Sequence, residues 1–121
     1  VALVLSVTRH RVPLPDAAAF EADARVALDA LRARPGFRSG TVGRSTDDPE
    51  LWVLVTWWDN VGSFRRALSA YDVKVTAVPV LATAIDEATA FEPLLVATAD
   101  GLSARASDRA ADADTAGPAH G

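Results

Sequence analysis

The stretch Leu51–Tyr71, LWVLVTWWDNVGSFRRALSAY, decides how the rest of the chain is arranged. Its first eight residues are apolar or aromatic except Thr56, and they hold all three tryptophans of the chain. Branched and flat side chains fit a pleated surface, so this segment reads as a strand buried on both faces. The chemistry then changes. Asp59 and Asn60 can accept hydrogen bonds from the free N–H groups that begin a helix. Val61, Phe64, Leu68 and Tyr71 follow at helical spacing. A strand that delivers two adjacent tryptophans into a helix start concentrates aromatic surface there, and a ligand is expected near that junction.

Working outward, Val1 to about Arg11 reads as the first strand, with Leu3, Leu5 and Val7 on one face and Val4, Ser6, Thr8 and His10 on the other. Pro13 and Pro15 end it. Asp16 is a candidate N-cap for a helix whose apolar stripe is Phe20, Ala24, Ala27, Leu28 and Leu31. Glu21 and Arg25 are placed on its outer face. Arg34, Pro35 and Gly36 supply a cation, a breaker and a left-handed cap that stop it. Phe37–Ser45 is the second strand, in which Gly40 and Gly43 mark a bulge or a place where another group needs room. Ser45–Glu50 is turn chemistry joining it to the third strand as a hairpin.

Beyond Tyr71, the residues Val73, Ala77, Val80, Leu81 and Ala84 fall at helical spacing with Asp72 as a possible cap, while Pro79 demands a break. Two short helical pieces are expected. Thr89–Ala97 reads as a fourth strand, with Pro93 marking an edge or the start of a second segment. From Thr98 the composition turns to Ala, Asp, Ser, Gly and Thr, which cannot bury enough surface to offset ordering entropy. The chain therefore divides into one folded domain, residues 1–97, and an unstructured tail, residues 98–121.

Composition narrows the function. The 121 residues suit one domain, and half are hydrophobic, enough for a real core. A net charge of −4 without a basic run argues against nucleic acid. The absence of cysteine excludes disulfides, thiol catalysis and thiolate metal sites, and suits a cytoplasmic location. The apolar opening lacks a basic n-region and a cleavage site and is too short to cross a bilayer; it is read as a strand, and no membrane partner is expected. Without an initiating Met, residues ahead of Val1 are expected to have been trimmed or left out. No HxH or HExxH spacing exists, so no metal site is expected. The glycines follow neither the dinucleotide nor the P-loop pattern.

The order strand, helix, strand, strand, helix, strand gives an α+β, ferredoxin-like arrangement: a four-stranded antiparallel sheet with helices on one face. In the third strand Val53, Val55 and Trp57 alternate with Leu54, Thr56 and Trp58, and both sets are apolar. The uncovered face must be buried, and the economical cover is a second copy of the chain. A homodimer through the open sheet face is the expected assembly.

The combination GFRSGTVGRSTDDPELWVLVTWWDNVGSFRRAL followed by YDVKVTAVPVL resembles the antibiotic biosynthesis monooxygenase superfamily of dimeric α/β barrels. The elements that carry the resemblance are the Gly-Phe after the first helix, the acidic hairpin with Pro, a Trp closing the third strand and a Phe in the first turns of the second helix. The resemblance implies a small cavity between sheet and helices in each subunit. It also implies oxidation of aromatic, polyketide-type substrates by dioxygen with no bound cofactor.

Within that frame the catalytic candidates are Trp58, Tyr71 and Arg66, and the substrate-binding candidates are Trp52, Thr56, Phe64, Leu68 and His10. Trp58 is either a flat wall against an aromatic substrate or a core plug under the second helix. Trp57 points the other way and is assigned to dimer packing. Tyr71, on the apolar stripe of the second helix, is either a satisfied core group or a substrate contact. Arg65 and Arg66 either hold an anionic oxygen at the cavity mouth or form a solvated helix face. Lys74 could neutralise a developing substrate anion, with a surface lysine as the default reading. His10 can serve as acid or base, although with Arg9 and Arg11 beside it a solvated side chain is the plainer reading. Leu68 stands where heme-degrading members of the superfamily place a His, and the first strand has no Asn, which turns the reading away from heme. Two functions remain open: a cofactor-independent monooxygenase acting on a phenol- or anthrone-like substrate, and a non-catalytic module that binds or senses a small apolar or aromatic ligand. Heme handling is a weaker third.

Overall fold

The computed structural model describes residues 3–105. The main sheet is built from β1 (Val4–Arg11), β2 (Phe37–Arg44), β3 (Leu51–Trp58) and β4 (Ala90–Phe91), ordered β2-β3-β1-β4 with every pairing antiparallel. Helices α1 (Ala17–Arg32), α2 (Val61–Ser69), α3 (Tyr71–Thr76) and α4 (Val78–Leu81) complete the α+β, ferredoxin-like fold. The parity left open by the sequence is resolved by burial. Val4, Ser6, Thr8 and His10 of β1 and Trp52, Leu54, Thr56 and Trp58 of β3 are buried, whereas Leu5, Val7, Val53, Val55 and Trp57 are half-exposed on the other face.

Trp58 is the keystone of the core, with 0% of its surface exposed. It meets Phe37 edge-on at 5.3 Å and Phe64 at 5.7 Å between ring centroids, and Ala27, Leu31, Ala67, Val73, Ala77 and Val80 fill the space around it. The strand-to-helix junction beside it is locked from several sides. Asn60 Oδ1 accepts the Ser63 N–H at 2.8 Å, so Asn60 is the N-cap of α2. Asp59 instead accepts from Arg38 at 2.7 Å, while its N–H donates to Gly36 O at 2.8 Å. Gly36 sits at φ +89°, and a Cβ there would collide with Ser63. Only glycine suits that position on both counts.

Two expectations are corrected, both around Tyr71. α2 ends at Ser69 and Tyr71 opens α3, so Tyr71 does not extend the apolar stripe of α2. Ala70, not Asp72, is the N-cap residue of α3. The Thr89–Ala97 stretch divides at Pro93, one of the two outcomes expected there: Ala90–Phe91 joins the main sheet and a second segment begins at Leu95. Of the two readings of the glycines, the register irregularity lies instead between Phe37 and Ser39, while Gly40 does give room to another group, Leu28 of α1.

A further difference concerns the expected tail. β5 (Leu95–Thr98) pairs with β6 (Gly101–Ala104) as a separate hairpin, so the region from Thr98 is ordered through Ala104. A Thr98–Gly101 turn allows short-range pairing that composition alone did not reveal. The remainder of the expected tail, from residue 106, lies outside the described residues. The two short helical pieces around Pro79 are present as α3 and α4.

Two substitutions test the junction. Asn60→Ala removes a side-chain cap and is expected to cost about 1 kcal/mol in urea unfolding. Gly36→Ala meets both a positive φ and the Ser63 side chain, and should cost about 2 kcal/mol or more. Equal stability of Gly36→Ala and the parent chain would show that the close approach to Ser63 is unimportant.

Candidate functional site

The helix-side surface of the sheet carries an unusual row of buried polar side chains: Ser6, Thr8 and His10 from β1 and Thr56 from β3. His10 is 1% exposed and hydrogen-bonded at both ring nitrogens, to Thr8 Oγ1 at 2.8 Å and to Thr83 Oγ1 at 2.9 Å. The single Thr83 hydroxyl proton is committed to Val80 O at 2.7 Å. Thr83 must therefore accept from His10, which places the imidazole proton on Nδ1, and Thr8 donates to Nε2. The result is a directed chain from Thr8 through His10 and Thr83 to a backbone carbonyl. Burial lowers the His10 pKa from its ordinary value by disfavouring the imidazolium. The solvated reading of His10 is thereby corrected: alternation turns it inward between two arginines that point outward.

An aromatic row runs from this histidine across the sheet. Phe20 of α1 lies 5.2 Å from the His10 ring and 5.3 Å from Trp52. Trp52 in turn lines an open groove of about 860 Å³ between α1 and β2, within the size range of small-molecule sites. The α1 wall carries Glu21, Arg25, Leu28, Asp29 and Arg32, and the sheet wall carries Gly40, Val42, Gly43 and Arg44. Arg44 is the cross-strand partner of Trp52, and its guanidinium lies 4.9 Å from the centre of the indole, a cation–π distance. A Cβ at Gly40 would approach Leu28 Cδ1 to 2.6 Å, so this glycine sets how closely α1 approaches β2.

Trp52 has one unsatisfied group. Its Nε1–H is buried and finds no hydrogen-bond acceptor among the described residues. An unmet buried donor of this kind costs about 1–3 kcal/mol. Trp58 differs, because its Nε1–H donates to Thr56 Oγ1 at 2.9 Å.

The sequence-nominated residues thus separate into groups. Trp58, Thr56, Phe64 and Leu68 form packed core under α2. His10 and Trp52 are joined through Phe20, and of the eight nominated residues Trp52 lines this groove. Tyr71 is 77% exposed and Arg66 is exposed on α2, with Nη2 3.5 Å from Ser63 Oγ. Glu21 and Arg25, assigned to an outer helix face, form part of the groove wall. Arg44 and Leu28 were not nominated. Arg44 could have been found by counting back from the turn, since a hairpin centred near Asp48 pairs residue 44 with residue 52.

A pH dependence follows from His10. Its folded pKa lies below the unfolded value of about 6.5, so the unfolded chain binds the extra proton. Stability is complete above about pH 6.5 and falls as pH drops below that value toward the folded pKa. Chemical denaturation between about pH 7 and 5 should show this loss, and His10→Gln should flatten it. An unchanged slope in the variant would remove His10 as the cause.

With the geometry established, comparison with other proteins places the chain. The family model for antibiotic biosynthesis monooxygenases matches residues 4–77. Among curated protein sequences none matches the chain. Solved structures do. SnoaB, a cofactor-independent oxygenase from Streptomyces nogalater, is 27% identical over 74% of this chain and 88% of its own, with a TM-score of 0.56. A mutant of the same oxygenase aligns over 92% of this chain and 98% of its own at 22% identity, with a TM-score of 0.61. A conserved protein from Methanosarcina mazei is 16% identical over 74% of this chain and 91% of its own, with a TM-score of 0.63. The chain belongs to the antibiotic biosynthesis monooxygenase family.

Proposed function

We propose that this chain is a cofactor-independent monooxygenase that oxidises a small, electron-rich aromatic substrate with dioxygen, and that the α1–β2 groove receives the substrate. The observation that carries this reading is the groove itself: an open cleft between α1 and β2, lined in part by Trp52, in a monooxygenase-family fold. In the reaction, a ring CH₂ of an anthrone-like substrate loses a proton and the resulting anion supplies electrons to dioxygen. One oxygen atom remains as the product carbonyl, and the other leaves as water with the two hydrogens lost from carbon. The protein's task is to orient the ring, stabilise the anion and limit water. Trp52 and Val42 contribute apolar lining, and Arg44, stacked on the Trp52 ring, a permanent cation. The nominated residues Trp58 and Thr56 act in this reading by shaping the floor of the sheet beneath α2, and Tyr71 and Arg66 lie away from the groove lining. A cytoplasmic location accords with this chemistry, and no helix among the described residues is long and apolar enough to cross a membrane.

One observation favours a second reading, in which the groove binds an aromatic metabolite without turnover. His10, the one histidine among the described residues, is sealed in the core and does not line the groove. Oxygen uptake separates the two. Purified full-length chain incubated with anthrone should consume oxygen in step with quinone formation. Saturable binding with uptake no faster than the enzyme-free control would leave the binding module. Heme added in parallel should give no Soret shift at one equivalent.

The assembly proposed for this function is a homodimer through the open sheet face, where Leu5, Val7, Val53, Val55 and Trp57 stand half-exposed. Sedimentation at micromolar concentration should give twice the 12.7 kDa chain mass. Val55→Glu should shift the species toward monomer, and a monomeric parent chain would overturn the assembly.

A further inference from the structure

We infer that the β5–β6 ribbon of each copy adds to the free edge of β2 in a second copy and forms the third wall of the open α1–β2 groove; this rests on the groove and the homodimer proposed above. The groove has two walls of its own, α1 and β2. Gly40, Val42 and Arg44 share the helix-side face of β2 with their partners Thr56, Leu54 and Trp52, whereas Thr41 and Gly43 pair with Val55 and Val53 on the other face. All five line the groove. Successive residues of a strand face opposite ways, so a groove that touches both sets runs along the outer edge of the strand. That edge is unpaired among the described residues: β2 is the last strand of the sheet and bonds to β3 alone. A row of free N–H and C=O groups is a template for one more strand.

The ribbon is the element with a strand to give. β5 and β6 pair with each other and form a sheet of their own, apart from the main one. Leu95 stands opposite Ala104 and Ala97 opposite Leu102, so these four side chains share one face. All four are exposed, Leu95 at 69% and Leu102 at 71%. A lone two-stranded ribbon is marginally stable in water, and an apolar face of this kind calls for a cover. Its four-residue strands match in length the five residues of β2 that line the groove.

Chain geometry selects a second copy as the acceptor. The ribbon leaves the main sheet at β4, the edge opposite β2. From Phe91 to Leu95 the chain can span at most about 14 Å. A strand added outside β2 of the same sheet would lie four strand spacings from β4, about 19 Å. The chain's own β2 edge is out of reach. In a homodimer whose open faces meet, the two sheets lie about 10 Å apart. A two-fold axis between them and parallel to the strands sets the β4 edge of each copy over the β2 edge of the other. The linker of Glu92, Pro93 and Leu94 covers that gap. Added there, Leu95 and Leu102 of the partner subunit face the groove opposite α1, and each site is shared between two copies.

The chain has no cysteine, so one label can be placed without removing any native thiol. A nitroxide on Ala99→Cys, in the exposed turn of the ribbon, is carried by unlabelled full-length chain and mixed with ¹⁵N-labelled parent chain. Broadening then reports contact between copies only, and it should centre on the Gly40–Arg44 amides. Hydrogen exchange gives a second readout. The outward β2 amides should exchange slowly in the parent dimer and about tenfold faster in Leu95→Asp/Leu102→Asp. In sedimentation the same double variant should weaken the dimer about tenfold or more, through the loss of two buried leucines. Both leucines are exposed within one chain, so the β1–β3 amides should keep their protection. Anthrone binding, followed by tryptophan quenching, should be several-fold weaker in the double variant than in the parent chain.

A parent of dimeric mass whose β2 amides neither broaden nor lose protection in the double variant would overturn the exchange and leave the open-face dimer standing. Broadening confined to residues 95–104 would also overturn it, placing ribbon against ribbon. A monomeric parent sinks the assembly and the exchange together. Anthrone affinity unchanged in the double variant overturns the third wall. The outcome for turnover is distinguishable. If β2 broadens while anthrone neither binds nor consumes oxygen, the exchange stands and the monooxygenase reading fails. If oxygen is consumed while β2 is untouched, turnover stands and this inference fails.

Discussion

The fold depends on one alternation, the pleat of β3. Because successive side chains of a strand face opposite ways, Trp52, Leu54, Thr56 and Trp58 are committed together to the helix side. Trp58 fixes the depth at which α2 packs, through Phe37 and Phe64, and its polar atom is answered two residues back on the same face by Thr56. A one-residue slip of β3 would turn all four outward at once and expose the core. The neighbouring strands inherit this register. Val4 pairs with Trp58 and His10 with Trp52, so the setting of β3 also decides that His10 is inside.

Much of this was legible because it rests on period and punctuation. The LWVLVTWW run and the Asn60 cap specify strand and helix through local chemistry, and each appears where the pattern put it; Gly36 has the expected left-handed backbone but lies in the turn before β2, α1 having already ended at Arg32 with Ala33 as its C-cap. What failed did so for physical reasons. Tyr71 was assigned to α2 by spacing, but Ala70 adopts an extended backbone and ends the helical phase, so spacing across it carries no facial information. His10 was judged by its charged neighbours in sequence, whereas in a strand adjacent residues are on opposite faces, and the groups that matter are Thr8 and the distant Thr83. The groove was half legible. Trp52 and the two glycines were singled out, while the α1 charges were read as solvated because period alone does not show that β2 stops short of covering them.

The candidate site combines two environments with different electrostatic character. The core row from Thr8 to Thr83 is closed, and every polar atom of His10 is matched. The groove is open, and among the described residues the buried Trp52 donor is unmatched and Arg44 has no carboxylate partner. Phe20 stands between them, touching a ring in each. In the reaction proposed above the substrate supplies the electrons, so the contribution asked of this site is shape and fixed charge.

The strand order β2-β3-β1-β4 has a consequence for synthesis. Within this domain β1 is an interior strand of the sheet, and its main partner, β3, is synthesised after it. Until Trp58 has emerged, the apolar Val4–Val7 segment has no ladder to join and its backbone groups remain solvated. The β2–β3 hairpin, whose halves are joined by the short Ser45–Glu50 turn, can close without it. Loop-closure entropy therefore favours the local β2–β3 pairing over the more distant β1–β3 pairing, so chain order and ease of pairing oppose each other in this sheet.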